Sequence, residues 1–156
     1  MSKKILFICL GNICRSCAAE EVLRVKAGKS GLKLDIDSAG MIDYHEGDLP
    51  DPRMRNHAFK RGYKLTHHSR LVKPSDFRNF DLIVAMDHNN EKGLRRLAST
   101  PEEQAKIVCA ASYIHNYDTD IIPDPYYGGD KDFEYALDLI EDCCDGLIKS
   151  FSEDME

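Results

Sequence analysis

The stretch Ile5-Leu6-Phe7-Ile8-Cys9-Leu10-Gly11-Asn12-Ile13-Cys14-Arg15-Ser16 decides the architecture. Ile5 to Cys9 is an unbroken apolar run after Lys3 and Lys4. That is the pattern of a parallel strand buried on both faces. Gly11-Asn12 breaks the run, and Ser16 to about Gly28 reads as a helix with Ser16 as a candidate N-cap. Ala18, Ala19, Val22, Leu23 and Val25 supply its apolar positions. A strand, a short loop and a helix in succession are the start of a βαβ unit.

The rest of the chain continues that alternation. Leu32, Leu34 and Ile36 alternate with Lys33, Asp35 and Asp37, so a second strand is expected to end near Ser38-Ala39-Gly40. Asp51-Pro52 opens a helix with its cap and first-turn proline in favoured places, and Gly62 should stop it. Asp81 to Met86 and Ile107 to Ala110 read as the third and fourth strands, with a polar helix from Asn89 to Leu97 between them. Tyr113 to Gly129 reads as loop. Phe133, Ala136, Leu137, Ile140, Cys143, Cys144, Leu147 and Phe151 recur at helical spacing and mark the last helix. The expectation is an α/β fold with a parallel sheet covered on both faces, and ligands bound outside the carboxyl ends of the strands. Cys9 stands at such an end.

Composition narrows the class. The chain of 156 residues suits one domain, and 42% hydrophobic residues can build a core. A formal net charge of -6 argues against binding nucleic acid through many phosphate contacts, though not against one local positive pocket. The apolar start is too short for an export signal or a membrane span, since Gly11, Asn12 and Arg15 follow at once. A reducing cytoplasm is therefore expected, with the six cysteines as thiols rather than a disulfide framework.

The loop itself carries chemistry. Five residues, Leu10 to Cys14, separate Cys9 from Arg15 directly ahead of a helix. Backbone N–H groups of such a loop can converge into an anion cradle, and the helix N-terminus adds partial positive charge. The Arg15 guanidinium offers a planar fork for two phosphate oxygens. Each feature favours a thiolate at Cys9, an in-line nucleophile toward a bound phosphoryl group. Gly11 permits unusual backbone angles and Asn12 tolerates left-handed ones. Asp124-Pro125-Tyr126-Tyr127-Gly128 offers a carboxylic acid beside two aromatic walls, and a phenolate leaves poorly unless it is protonated. Asp118 and Asp120 compete for that role without flanking aromatics.

Cys9 to Ser16, Asp37-Ser38-Ala39-Gly40, Met86-Asp87 and Asp124-Pro125-Tyr126-Tyr127, in that order across almost the whole chain, resemble the low-molecular-weight protein tyrosine phosphatases. The resemblance implies a single domain over 1–156 with a four-stranded parallel sheet, helices on both faces, and no metal or organic cofactor. It implies hydrolysis of phosphotyrosine in protein substrates through a cysteinyl-phosphate. Cys9 would attack, Arg15 would clamp the phosphoryl oxygens, and Asp124 would serve as general acid and then general base. Phosphate or a similar oxyanion would sit in the loop formed by Leu10, Gly11, Asn12, Ile13 and Cys14. Asn12, Ser16, Ser38 and His67 would form a supporting hydrogen-bond network. His67 is favoured over His68 because Arg70 follows three residues later. Tyr44, Tyr126 and Tyr127 would line the mouth, in a slot too deep for phosphoserine.

Some residues depart from the family pattern. Cys17 stands where the family commonly has proline, and Met41 and the His68-Ser69 pair are less familiar. Thioredoxin-linked arsenate reductases share this loop but use two further cysteines after the third strand, and residues 82 to 100 contain none. Protein-arginine phosphatases typically carry threonine where this chain has Ile13. Cys9, Cys14 and Cys17 match part of an iron–sulfur spacing, but a fourth ligand would have to be distant, and Cys143 and Cys144 fit the buried stripe of the last helix. A phosphotyrosine-binding module without turnover is the remaining non-enzymatic reading.

Overall fold

In a computed structural model the structure describes residues 2–154. The single-domain expectation also takes in residues 1, 155 and 156, which lie outside the described residues. Four strands, β1 (Lys3–Cys9), β2 (Leu34–Gly40), β3 (Leu82–Ala85) and β4 (Ile107–Cys109), form one sheet in the order β2-β1-β3-β4. Every pairing is parallel, with Ile5 beside Ile36 on one side and beside Leu82 on the other. The chain leaves β1 to one side for β2, then returns past it for β3. The reversal puts the topological switch point at the carboxyl end of β1, the place where such sheets open a crevice.

Among the described residues, six α-helices complete the single-domain α/β fold: α1 (Arg15–Lys29), α2 (Pro52–Lys60), α3 (Asp76–Asn79), α4 (His88–Leu97), α5 (Pro101–Ala105) and α6 (Asp130–Asp154). Successive side chains of β1 point to opposite faces. Ile5, Phe7 and Cys9 join the cluster under α1 and α6, whereas Leu6 and Ile8 join Phe77, Leu94 and Ile107 on the other face. All eight residues of the expected α6 stripe are buried there. Asp51 caps α2 by accepting a hydrogen bond from the Arg53 N–H at 2.8 Å, and Pro52 opens that helix as the sequence predicts. No helix among the described residues is long and apolar enough to cross a membrane.

Two local expectations need correction. Leu32 lies outside β2, because its N–H closes the end of α1 on the Ala27 carbonyl. Ser16 is not a cap: Cys14 occupies that position without a side-chain cap bond, and the Ser16 hydroxyl is engaged by Cys9 and Asn12. The short helices α3 and α5 fall in stretches with too few turns to show a helical period in sequence.

Candidate active site

β1 delivers Cys9 to the switch point with 3% of its surface exposed, and α1 begins six residues later. Between them the backbone turns tightly. Asn12 adopts φ 59°, the only described non-glycine residue with positive φ. The loop's carbonyls are drawn outward. Cys9 O accepts from Met41 N at 3.0 Å, and Leu10 O accepts from Met41 N and Ile42 N at 2.9 and 3.1 Å. Gly11 O accepts from Ser69 Oγ at 2.9 Å, and Ile13 O from Asp51 N at 2.8 Å. In a trans peptide the following N–H points the opposite way. Among the described residues, the N–H groups of 11–14 have no protein acceptor. The loop therefore presents donors inward, as an anion cradle requires.

The buried Asn12 side chain organises the polar layer beneath. Its Oδ1 accepts from the Arg70 N–H at 3.1 Å and faces His67 Nε2 at 2.9 Å. The backbone donor fixes the amide orientation, so His67 donates from Nε2. Asn12 Nδ2 donates to Ser16 Oγ at 2.7 Å and to Ser38 Oγ at 3.0 Å. With its oxygen already accepting, Ser16 is free to direct its proton at Cys9 Sγ, 3.0 Å away. Ser38 passes its own proton to Glu20 Oε1 at 2.7 Å, and His67 Nδ1 lies 3.1 Å from the same oxygen. Asn12, Ser16, Ser38 and His67, the four residues expected as a network, thus meet in one chain of bonds ending on the sulfur. Glu20, Asp37 and His67 place one ligand atom each within 4.8 Å of one another. Arg70 and Ser38 already engage those carboxylates, so the trio reads as part of the polar layer.

Arg15 is 2% exposed. Its Nη1 donates to Asp87 Oδ2 at 2.7 Å and to the Ile122 carbonyl at 2.8 Å, and its Nη2 lies 3.7 Å from Asp124 Oδ2. Burial opposes its charge, but Cys9, Asp87 and Asp124 outweigh burial and hold the guanidinium above the ordinary arginine range. Asp87 also caps α4, accepting from Asn90 N at 2.8 Å. Burial above all, then the negative charges of Asp51 and Cys9, pushes the Cys14 thiol far up. Burial does the same to Cys17, Cys143 and Cys144. Cys109 is pushed up to about 11 by burial and by its bond to Glu91. All six cysteines are free thiols.

A cavity of about 430 Å³ stands over the loop, with Cys9 and Arg15 in its lining beside Leu10, Gly11, Ile13 and Cys14. Asp124 and Tyr126 face it from the opposite loop, while Tyr44 and Tyr127, 84% and 94% exposed, stand at the mouth. Tyr126 and Tyr127 meet edge to face with centroids 4.9 Å apart.

A family model described as low molecular weight phosphotyrosine protein phosphatase matches residues 4–156. The chain belongs to this family. It is 40% identical to a low molecular weight protein-tyrosine-phosphatase of Streptomyces coelicolor, over all of this chain and 98% of that one. A crystal structure of a protein tyrosine phosphatase from Entamoeba histolytica superimposes with a TM-score of 0.95 at 43% identity, covering 99% of this chain and all of that one. A Drosophila arginine phosphatase superimposes with a TM-score of 0.89 at 34% identity, covering 95% and 97%.

This low molecular weight phosphatase also brings residues to its site that sequence reasoning left out. Ile42 and His45 line the cavity, and Asp87, quoted in the Met86-Asp87 motif without a role, holds Arg15. Ile42 and His45 sit in a polar loop with no distinguishing pattern. Asp87 carried a signal, standing at the end of a strand like Cys9. Glu20 lies within α1 and reads from sequence as an ordinary solvated helix residue, yet it is 6% exposed beneath the loop.

Proposed function

We propose that this chain hydrolyses phosphotyrosine in proteins through a cysteinyl-phosphate, with residues 1–156 acting as one catalytic domain. The observation that carries the reading is that one cavity is lined by a sulfur, a guanidinium, a carboxylate and tyrosine rings. The loop N–H groups and the free edge of Arg15 receive the phosphoryl oxygens. The Cys9 thiolate, steadied by the Ser16 hydroxyl, attacks phosphorus in line as the bond to the aryl oxygen breaks. Asp124 in its acid form gives its proton to the departing phenolate. The resulting carboxylate then takes a proton from water as that water attacks the phosphorus. The P–S bond breaks, releasing inorganic phosphate and restoring the thiolate. No metal or organic cofactor enters this scheme.

Tyr44, Tyr126 and Tyr127 receive the phenyl ring, and the apolar Ile13 at the cavity suits a ring better than a guanidinium. The likeness to an arginine phosphatase favours phosphoarginine as a second substrate class. A thiolate nucleophile also needs a reducing surrounding, so we place the enzyme in the cytoplasm. The test is a rate comparison of phosphotyrosine, phosphoserine and phosphoarginine peptides on one purified sample. Phosphotyrosine should be fastest by about 10²-fold, the scale on which a shaped apolar pocket discriminates between substrates. A phosphoarginine rate above the phosphotyrosine rate would reverse the assignment.

A further inference from the structure

Four carbonyls of the anion loop are pinned outward, and three of the pins are backbone N–H groups: Met41 and Ile42 on Cys9 and Leu10, and Asp51 on Ile13. The fourth, Gly11 O, is held by a side chain, the Ser69 hydroxyl at 2.9 Å. Ser69 is 3% exposed and touches neither the sulfur nor the cavity. We propose that Ser69 is a positioning residue: by holding the Gly11 carbonyl outward it aims the Asn12 N–H at the bound phosphoryl group. The proposal rests on the phosphatase reading for what the cradle binds.

The local chain prefers the opposite orientation. Turning over the Gly11–Asn12 peptide changes ψ of Gly11 and φ of Asn12 together. Glycine accepts the change, and Asn12 would leave φ 59° for the negative region that L-residues favour. The turned peptide would aim a carbonyl oxygen at the anion. The Asn12 side-chain bonds hold its amide group but do not set the plane of the preceding peptide. Ser69 acts on that plane directly.

The same residue links the cradle to the rim. Its carbonyl accepts from Gly47 N at 2.7 Å and its N–H donates to Asp48 O at 2.8 Å. Both are backbone bonds, so Ser69→Ala keeps them and removes only the pin. The turn carrying Tyr44 and His45 should then stay in place.

The experiment measures inorganic phosphate binding by titration calorimetry, with kcat and KM for p-nitrophenyl phosphate, in the parent, Ser69→Ala and Ser69→Thr. Loss of one donor to a charged ligand should weaken phosphate binding about ten-fold in the alanine variant. KM should rise in parallel with a smaller change in kcat, and threonine should restore both. Parent-like phosphate affinity in Ser69→Ala overturns the proposal, as does a threonine variant as weak as alanine. Should the alanine variant fail to fold, Ser69→Cys under reductant keeps the volume with a weaker donor. Intermediate affinity is then expected, and parent-like affinity overturns the proposal. A parent that binds phosphate but leaves p-nitrophenyl phosphate intact would sink the phosphatase reading, while phosphate affinity still decides the role of Ser69. A parent that binds no phosphate overturns both.

Discussion

The two loops that meet over the cavity are held in opposite ways. Residues 9–16 are tied by backbone bonds to 41, 42 and 51, by Ser69, and by a buried side-chain network running from Glu20 to Cys9. Residues 123–129 rely mostly on local bonds: Tyr126 N to Asp124 Oδ1, Gly128 N to Pro125 O, and Gly129 N to Asp132 Oδ2. Its outside ties are Arg53, which donates to the Tyr126 carbonyl at 2.8 Å, and the longer 3.7 Å ion pair between Arg15 and Asp124. The proposed chemistry accounts for the difference. Fixed dipoles stabilise a phosphoryl group only if they need no rearrangement when charge develops. A general acid must meet a leaving group, release it and admit water, which a partly exposed loop allows. The first loop should therefore tolerate almost nothing, and the second should tolerate changes that spare Asp124.

The largest effect should come from the sulfur. Cys9→Ser should lose at least about 10⁴-fold in kcat, as removal of a nucleophile does elsewhere, and still bind phosphate. Arg15→Ala should lose about 10³-fold, the low end for an arginine that clamps a transferring phosphoryl group. Substantial turnover in either variant breaks the first half of the comparison. Asp124→Ala should cost about 10²-fold to 10³-fold with phenyl phosphate and clearly less with p-nitrophenyl phosphate, whose leaving group needs less protonation. Equal losses on both substrates would mean that a different acid serves the reaction.

How much of this was legible beforehand divides along the same line. The strand, the Cys-to-Arg spacing and the α6 stripe were readable because each is a local pattern, of polarity or of fixed separation. The network beneath the loop was only partly so. Asn12, Ser16, Ser38 and His67 followed from resemblance, since nothing in their own neighbourhoods distinguishes a buried polar residue from a solvated one. Glu20 and Ser69 were left out for that reason: their roles come from contacts 18 and 58 residues away in sequence. Ser16 misled because a serine ahead of a helix has a good local use, and the tertiary one prevailed.

Gly40 tests how tightly the first loop is seated. A Cβ there would stand 2.9 Å from the Leu10 carbonyl oxygen and 3.1 Å from the Gly11 carbonyl carbon, both backbone atoms. Gly40→Ala should destabilise the fold by about 1–3 kcal/mol, the range for overpacking, and lower activity beyond what stability explains. Urea unfolding with a parent-like midpoint would show the loop to be softer than its bonds suggest.

Oxidation probes the same seat. Cys9 and Cys14 line one cavity, whereas Cys17 lies outside its lining and donates its thiol to the Cys14 carbonyl. Peroxide should oxidise the Cys9 sulfur to a sulfenic acid; the Cys14 thiol then attacks that sulfur, its S–O bond breaks, and water leaves to give the disulfide. Activity should return with dithiothreitol in the parent and stay lost in Cys14→Ala. Mass spectrometry showing a Cys9–Cys17 bridge instead would shift the resolving role to Cys17.

The smallest effect concerns Asp51, where the two loops share a support. Its N–H holds the Ile13 carbonyl, its carboxylate caps α2, and its partner Arg53 reaches Tyr126. Burial pushes this carboxyl up, but hydrogen bonds from Arg53 outweigh burial and hold it below the ordinary carboxylate range. A carboxyl depressed in the folded state stabilises the fold above its unfolded pKa and loses that contribution as pH falls through the folded one. Asp51→Asn keeps an accepting oxygen and removes the charge. It should therefore be less stable than the parent by up to about 1 kcal/mol at pH 7, the usual scale of a cap, and the gap should close toward pH 3. Urea midpoints measured across that range decide the matter. A gap that stays constant with pH would mean that the charge contributes nothing and that the shared support is purely one of hydrogen-bond geometry.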